Sequence, residues 1–236
     1  MKVAIISIFR NNTEEYCHRY INRVKSLNYG SIEVRPYVTV GDSSLPSEKY
    51  LAAALPDISI SIVHTGIKHY GSVVHPERFK CLALSYNAAL DAAAKDGWAD
   101  YVLYLDSDLL YASALLARLL AHQKEIIAPL IMAGPSFYDI WGFRKLDGDN
   151  FPSHPGWLKE KTEPFEILTA GAVVLFPAGP LYDGARLTEA DAVQGLCHSL
   201  RMAFGLTIWC DPGTIVYHPV PGGPLTYDAN WLQYPF

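Results

Sequence analysis

The first half of the chain alternates short apolar runs with segments in which apolar residues recur every three or four positions. The runs are typical of buried strands, and the recurring pattern is typical of helices packed on a sheet. Strands are predicted at 3–9, 34–40, 58–62 and 101–105, and helices at 12–27, 47–55 and 76–96. This alternation predicts a parallel sheet covered by helices on both faces. Ligands of such sheets bind at the carboxyl ends of the strands.

Two of the predicted helices have recognisable ends. Asn12 is predicted to open the first helix, with Glu15 three residues later as its capping-box partner. Pro76 suits the first turn of the third helix, and Gly97 is expected to end it.

The second half of the chain is less regular. The segment 134–164 is rich in Gly, Pro, Trp, Tyr and Asp and shows no clear periodicity, which is typical of functional or mobile segments. Around it we predict helices at 113–124 and 191–204, and strands at 126–130, 167–176, 207–210 and 214–217.

Composition narrows the class of protein. The chain has 236 residues, half of them hydrophobic, which is enough for one domain with a sizeable core. The net charge of −5 and the absence of Lys or Arg runs argue against strong electrostatic binding of nucleic acid. The four cysteines are far apart and form no CxxC pair, so we expect reduced thiols. With neither a signal peptide nor an apolar run of membrane-spanning length in the sequence, a cytoplasmic protein is expected.

The strongest chemical signal is Leu105-Asp106-Ser107-Asp108, directly after a predicted buried strand. Two carboxylates this close repel each other near apolar walls, and a divalent cation relieves that repulsion. Mn2+ or Mg2+ takes few protein carboxylates and completes its shell with phosphate oxygens and water. A bare Asp-x-Asp is often only an acidic turn. Here the preceding strand and the residues described next favour a metal site.

His218 follows the last predicted strand, in Tyr217-His218-Pro219. A neutral imidazole is a common ligand for metals such as Mn2+. A single His is more often structural, but its place at a strand end makes His218 a candidate third ligand beside Asp106 and Asp108.

Acidic residues precede the predicted helix 191–204, in Thr188-Glu189-Ala190-Asp191. They could stabilise the helix N-terminus through its free N–H groups and dipole. Alternatively, one of them is a general base that deprotonates an acceptor hydroxyl, with Asp191 the first candidate and Glu189 the second.

Several segments in this order resemble one known family. The chain is similar to GT-A glycosyltransferases, and more narrowly resembles fungal Anp1-type and capsule-associated mannosyltransferases and their bacterial and phage relatives. The resemblance rests on segments 41–44, 70–74, 76–79, 86–90, 105–108, 137–144, 170–175 and 209–218. In relatives an acidic pair stands about five residues before a helix cysteine, whereas Asp191 stands six and Glu189 eight before Cys197. The fungal membrane anchor is missing, which favours a bacterial or phage origin.

The resemblance implies a role for individual residues. Asp108 and His218 would hold the metal, and Asp106 would contact the metal, the ribose or the donor sugar. The remaining residues would form the substrate sites. They are Ser7, Phe9, Arg10 and Asp42 near the nucleobase or ribose, Arg78, Asn87 and Ser107 facing the donor, Tyr138 and Trp141 shaping the sugar or acceptor pocket, and Gly171 allowing close backbone approach.

The prediction is therefore an α/β protein with the GT-A fold, in which a Rossmann-like half and a mixed central sheet carry helices on both faces. A single domain spans 1–236, with a nucleotide-sugar-binding half at 1–110 and an acceptor-binding and catalytic half at 111–236. The predicted activity is metal-dependent hexosyl transfer from a UDP- or GDP-sugar, with Mn2+ or Mg2+ as cofactor. An inverting and a retaining outcome are both compatible with the sequence.

Two other functions share part of this pattern. A sugar nucleotidyltransferase also uses aspartates and Mg2+, but residues 8–12 lack its glycine-rich triphosphate loop. A non-catalytic nucleotide- or sugar-binding module would not need two aspartates, a histidine and a base. The acceptor is left open among a glycan, a lipid-linked sugar, a protein, a small molecule and a modified DNA base, the last disfavoured by the negative net charge.

Overall fold

The computed structural model describes residues 1–27, 30–55, 57–71 and 73–219. Within the predicted domain, residues 220–236 lie outside the described part, as does Ser72 in the segment 70–74. No helix in the described ranges is long and apolar enough to cross a membrane.

A mixed sheet forms the centre of the described structure. Its strands are β1 Lys2–Phe9, β2 Glu33–Gly41, β3 Ser59–Val63, β4 Tyr101–Leu105, β5 Ile126–Ala133, β6 Ser136–Phe137, β7 Phe165–Ile167, β8 Val173–Pro177 and β9 Ile208–Tyr217. They lie in the order β3-β2-β1-β4-β8-β5-β9-β7, with β6 paired to β5. The first four are parallel, whereas β8 runs antiparallel to both of its neighbours. The predicted α/β class with a mixed sheet is confirmed.

Helices connect these strands. They are α1 Glu14–Ser26, α2 Ser47–Ala54, α3 Pro76–Asp96, α4 Leu115–Ala121, α5 Gly179–Tyr182 and α6 Val193–Met202, with a 3-10 turn at Pro155–Glu160. Helix α3 begins and ends as predicted. The His75 side chain caps its start, and Gly97 ends it in the left-handed region at φ 61°.

Helix α1 begins later than predicted. Its N-cap is Thr13, whose hydroxyl accepts the backbone N–H of Tyr16 at 3.3 Å. The Asn12 side chain instead accepts the N–H of Arg10, so the predicted Asn12–Glu15 capping box does not form.

The strands of the second half depart from the prediction. The single strand predicted at 167–176 is two strands, β7 and β8, because the residues between them bond to the segment 139–144: Leu168 donates to the Arg144 carbonyl at 2.9 Å, and Ala172 donates to the Asp139 carboxylate at 2.8 Å. The two last predicted strands join as β9, whose pairing with β5 shifts register between Pro129 and Leu130.

The arrangement of β1, β2 and β4 determines where a site can form. Strand β1 is hydrogen-bonded in parallel to β2 on one side and to β4 on the other. Their carboxyl ends therefore meet at one edge of the sheet, which brings Arg10, Asp42 and Asp106 to the same region although they are far apart in the chain.

The four cysteines are unpaired, as expected. Cys17, Cys197 and Cys210 are buried, and Cys81 is half-buried.

Candidate functional site

The turn after β4 is held by hydrogen bonds to its central residue. The Ser107 hydroxyl donates to the Ile8 carbonyl at 2.8 Å and lies 3.1 Å from the Tyr16 hydroxyl. Arg23 donates to the Ser107 carbonyl at 3.3 Å. Because the hydroxyl and carbonyl groups of Ser107 are hydrogen-bonded within the protein, this residue orients the two neighbouring carboxylates rather than offering a free hydroxyl to a ligand.

Asp106 is the more enclosed of the two carboxylates. Burial, followed by the nearby charge of Asp108, raises its pKa from 3.8 to about 7, although the Tyr86 hydroxyl donates a hydrogen bond to it. An acid with this pKa is close to half-protonated at neutral pH, so a cation beside it would favour the ionised form.

Asp108, the second carboxylate of the turn, lies next to His218. One Asp108 carboxylate oxygen lies 3.1 Å from His218 Nε2, and the imidazole stacks on the Tyr138 ring with centroids 3.9 Å apart. Burial lowers the pKa of His218, but the hydrogen bond and charge of Asp108 more than offset this, so the pKa is raised overall. The structure thus joins two of the three predicted metal ligands directly.

The donor types fit Mn2+ or Mg2+, although the predicted three-residue set is not assembled. Within the described ranges, no three His, Cys, Asp or Glu side chains are grouped closely enough to hold a metal ion together. Asp108 and His218 are a carboxylate–imidazole pair, while Asp106 is engaged by Tyr86. Two protein ligands suffice for a cation that keeps several positions for water and phosphate oxygens.

Two cavities lie in this region, and Asp106 lines the second. The first cavity, of about 270 Å3, lies between the ends of β1 and β2, the loop 68–71 and the face of α3 that carries Arg78, Cys81, Leu82 and Ser85. The second cavity, of about 350 Å3, is bounded by residues from both halves of the chain: Val73, Val74, Arg78, Leu82, Tyr104, Asp106, residues 138–141, Gly171, Ala172, Ala192 and Val193. Arg78 and Leu82 line both cavities, so a ligand could extend from one into the other past the Arg78 guanidinium.

Of the four residues predicted near the nucleobase, two line the first cavity. Phe9 and Arg10 line the first cavity, where Arg10 also donates to the Ile67 carbonyl at 2.5 Å. Asp42 follows Gly41 of the cavity wall, and its carboxylate accepts the Thr65 hydroxyl and the backbone N–H groups of Thr65 and Gly66. Burial raises the pKa of Asp42, but the hydrogen bond from the Thr65 hydroxyl, followed by that from Gly66, lowers it overall. Asp42 therefore shapes the loop that borders this cavity.

Ser7 lies beneath the site rather than in it. It is fully buried; its hydroxyl donates to the Leu105 carbonyl at 2.6 Å and accepts the Tyr20 hydroxyl at 3.0 Å. The sequence predicted that Ser7 contacts a ligand, but a fully buried side chain is not positioned to do so. Ser7 instead links β1 to the end of β4.

Asn87 also has a structural partner instead of the expected donor. Its amide nitrogen donates to the Leu187 carbonyl at 3.0 Å, and its amide oxygen accepts the Leu187 N–H at 2.9 Å. This pair of bonds fastens the segment before α6 to helix α3.

The aromatic pair predicted for the sugar or acceptor pocket does line the second cavity. Tyr138 stacks on His218, and Trp141 stacks on Phe79 of α3 with centroids 4.7 Å apart. Each ring therefore packs against the protein on one face while contributing to the cavity wall.

Comparisons with known proteins support the architecture. Residues 64–148 match the family model described as glycosyltransferase family 25, N-terminal domain. In a search of solved structures, a mannosyltransferase of Pyrobaculum calidifontis in complex with GDP-Man and Mn2+ superposes with a TM-score of 0.56 at 16% identity, over 93% of this chain and 57% of that one. The chain has the GT-A fold of glycosyltransferases.

Two further GT-A structures agree. TarS 1-349 of S. aureus in complex with UDP has a TM-score of 0.57 at 13% identity, over 93% of this chain and 61% of that one. GalNAc-T7 with UDP, GalNAc and Mn2+ has a TM-score of 0.53 at 14% identity, over 94% and 45%. The chain thus spans less than two thirds of each of these proteins.

Within this GT-A fold, the predicted bases belong to the exposed segment that precedes Ala192 and Val193 of the wall of the second cavity. Glu189 is exposed and 4.0 Å from the Lys80 ammonium. Asp191 is exposed, and its backbone N–H donates to the Thr188 hydroxyl at 3.2 Å. Neither residue caps α6, whose N-cap is Ala192 without a side-chain cap, so the capping alternative is wrong. Ala192 lines the cavity with φ at 46°, a strained conformation for a residue with a Cβ atom.

One residue of the site was missed in the sequence. Asp139 is 9% exposed, and its two oxygens accept the N–H groups of Gly142 at 3.0 Å and Ala172 at 2.8 Å. A Cβ atom at Gly171 would lie 1.8 Å from this carboxylate, so the absence of a side chain lets Asp139 approach Gly171, which also lines the second cavity. The signal for Asp139 was an acidic residue within the aromatic run 137–143.

Proposed function

We propose that this protein is a metal-dependent glycosyltransferase that moves a sugar from a nucleoside-diphosphate sugar to an acceptor hydroxyl. One observation carries the proposal: Asp106, in the same turn as the Asp108–His218 pair, lines the second of two cavities whose walls share Arg78. A nucleotide in one cavity, a sugar in the other and a diphosphate between them would match this arrangement.

The first cavity is assigned to the nucleoside. It lies at the carboxyl ends of β1 and β2, where nucleotides bind in open parallel sheets. Arg10 and Arg78 place two guanidinium groups on its walls, and guanidinium groups pair well with phosphate oxygens. Structural relatives bind UDP and GDP-Man, so both bases stay open for this chain.

Asp108 and His218 are proposed to hold Mn2+ or Mg2+, with Asp106 beside them. When bound, such an ion supplies positive charge that stabilises the departing diphosphate. Arg78 adds a second positive charge at the junction of the cavities. Tyr138 keeps the His218 imidazole in place by stacking, and Tyr86 fixes the orientation of Asp106.

Asp191 is the proposed general base, with Glu189 as the alternative. Both side chains are exposed, and Asp191 directly precedes Ala192, which with Val193 lines the second cavity. A carboxylate there would accept the proton of the acceptor hydroxyl as its oxygen attacks the anomeric carbon. Glu189 already faces Lys80, which favours Asp191.

The wider assignments are proposals as well. One GT-A domain spans 1–236, with the nucleotide half at 1–110 and the acceptor half at 111–236. The walls of the second cavity come from both ranges, which supports a sugar site between the two halves. The branch of Anp1-type and capsule-associated mannosyltransferases, a bacterial or phage origin, hexosyl transfer and a cytoplasmic location complete the proposal.

Donor hydrolysis tests the proposed function without knowledge of the acceptor. The protein is incubated with UDP-glucose, UDP-galactose, UDP-GlcNAc and GDP-mannose, with Mn2+ or with EDTA, and the released nucleoside diphosphate is measured. We expect release from one donor, or from donors sharing one base, only with Mn2+.

The test variant is Asp108→Asn, which keeps the size of the side chain but removes its charge. This variant should lose most of the metal-dependent release. Equal release in EDTA, or release unaffected by Asp108→Asn, would show that the acidic turn does not serve the reaction.

A further inference from the structure

We propose that the acceptor carries an apolar group next to its reacting hydroxyl, and that Val73, Val74 and Ile140 form the surface on which this group binds. The inference rests on the proposed function, because it assigns the outer part of the second cavity to the acceptor.

The first observation is a cluster of exposed apolar side chains. Among the described residues, nine large hydrophobic side chains are exposed, and three of them line the second cavity. Val73 is 48% exposed, Val74 70% and Ile140 45%. Isolated exposed hydrophobic residues are common on protein surfaces, but several at the mouth of one cavity indicate a binding surface.

The second observation is that the polar side chain next to Ile140 is already engaged. Both oxygens of Asp139 accept backbone N–H groups, from Gly142 at 3.0 Å and from Ala172 at 2.8 Å. A polyhydroxylated acceptor buried here would leave some of its hydroxyl groups without partners, at a substantial free-energy cost. An apolar group would meet no such cost.

The third observation is the division of the cavity into an inner and an outer part. Asp106 and Arg78 belong to the part next to the metal-binding turn, where the donor diphosphate and sugar are assigned. Val74 and Ile140 are the more solvent-exposed part of the same wall. An acceptor entering from solvent would place its hydroxyl inward and its apolar group against this outer surface. An alkyl or aryl substituent has the required chemistry.

A series of n-alkyl β-glucosides, from methyl to hexyl, probes this surface directly. Dissociation constants are measured by calorimetry on the full chain, with and without the nucleotide and Mn2+. Each added methylene that reaches the surface should tighten binding about two- to fourfold. The series uses one constant sugar, so the trend reports only on the apolar group.

Two variants decide where the alkyl chain binds. Ile140→Asn places a polar group on the proposed surface and should flatten the trend with chain length. Ile62→Asn is the matched control, because Ile62 is 61% exposed on β3 and lies outside both cavities. It should leave the trend unchanged.

The two proposals fail in different ways. Constant affinity along the series, no binding of any member, or the same trend in Ile140→Asn would overturn the apolar acceptor surface, even if the nucleotide binds with Mn2+. Absence of nucleotide binding would instead count against the glycosyltransferase activity, while a chain-length trend abolished by Ile140→Asn would still establish the apolar surface.

Discussion

Asp106 illustrates, at the scale of a residue, how the proposed site conflicts with stability. Its carboxylate is enclosed beside Asp108, and these two effects raise its pKa to about 7. In the unfolded chain the group would ionise near its ordinary value of 3.8. The folded protein therefore retains a proton that the unfolded chain has already lost over this range of pH, and folding becomes less favourable as the pH rises through it.

Asp106→Asn should make the metal-free protein more stable at about pH 8, by at least about 1 kcal/mol, because the amide has no charge to bury. The gain should shrink at about pH 4, where Asp106 is protonated in the folded protein and only about half ionised in the unfolded chain. Urea unfolding in EDTA at the two pH values measures this difference. A variant that is less stable than wild type at both would show that Asp106 is not under electrostatic strain.

Gly171 offers a steric test of the Asp139 interaction. An alanine Cβ would lie 1.8 Å from an Asp139 oxygen that accepts the Ala172 N–H, so Gly171→Ala must displace this carboxylate. We expect a loss of at least about 2 kcal/mol in the free energy of unfolding.

Gly179→Ala is its control, because no atom lies within 4 Å of the corresponding Cβ position in α5. It should be neutral or stabilising by up to about 1 kcal/mol. Similar unfolding free energies for the two alanine variants would rule out the tight packing of Gly171 on Asp139.

Single residues were predictable where their chemistry depends on chain neighbours, and not where it depends on distant partners. Asp106 and Asp108 follow a buried strand, which is visible in the sequence. Ser7, by contrast, bonds to Leu105, and Asn87 to Leu187, one hundred residues away. The sequence shows that these side chains are polar, but not which groups they satisfy.

Among the elements, helix α3 connects the proposed parts of the site. It contributes Arg78 and Leu82 to both cavities, and through Asn87 it holds the segment that precedes α6. Leu187 is 4% exposed, so its backbone groups have little access to water if the Asn87 amide is removed.

Asn87→Ala should therefore lower the free energy of unfolding by about 2 kcal/mol, because two backbone groups lose their partners. Loosening of the segment that carries Asp191 should also reduce turnover more than nucleotide affinity. Chemical unfolding, steady-state kinetics and nucleotide titration measure the three quantities.

Asn22→Ala, at an exposed position of α1, serves as the matched control and should change neither stability nor turnover appreciably. If Asn87→Ala also leaves both unchanged, α3 does not position the segment before α6.

The elements of the first half were predictable because each has a regular pattern and local end signals, as α3 does with Pro76 and Gly97. The split of 167–176 into β7 and β8 was not, because it depends on bonds to Asp139 and Arg144. The start of α1 was misplaced by two residues, since both Asn12 and Thr13 can cap a helix and only the fold selects between them.

At the scale of the whole molecule, the parallel order β2-β1-β4 brings three strand ends together, and β8 of the second half pairs antiparallel with β4. The first cavity forms at the strand ends, and the second forms where the two halves meet. This edge of the sheet could be predicted from the alternation of strands and helices. The composition of the second cavity could not, because its walls come from six separate segments.

Calorimetric titration of UDP and GDP into the protein, with Mn2+ and with EDTA, tests whether nucleotide binding depends on the metal, and the titration is repeated on Asp108→Ala. We expect one nucleotide to bind with Mn2+, EDTA to remove the binding, and Asp108→Ala to weaken it at least about tenfold, because one of the two proposed protein ligands of the metal is lost. Nucleotide binding that is equal in Mn2+ and EDTA and unchanged in Asp108→Ala, or no binding of either nucleotide, would contradict this expectation.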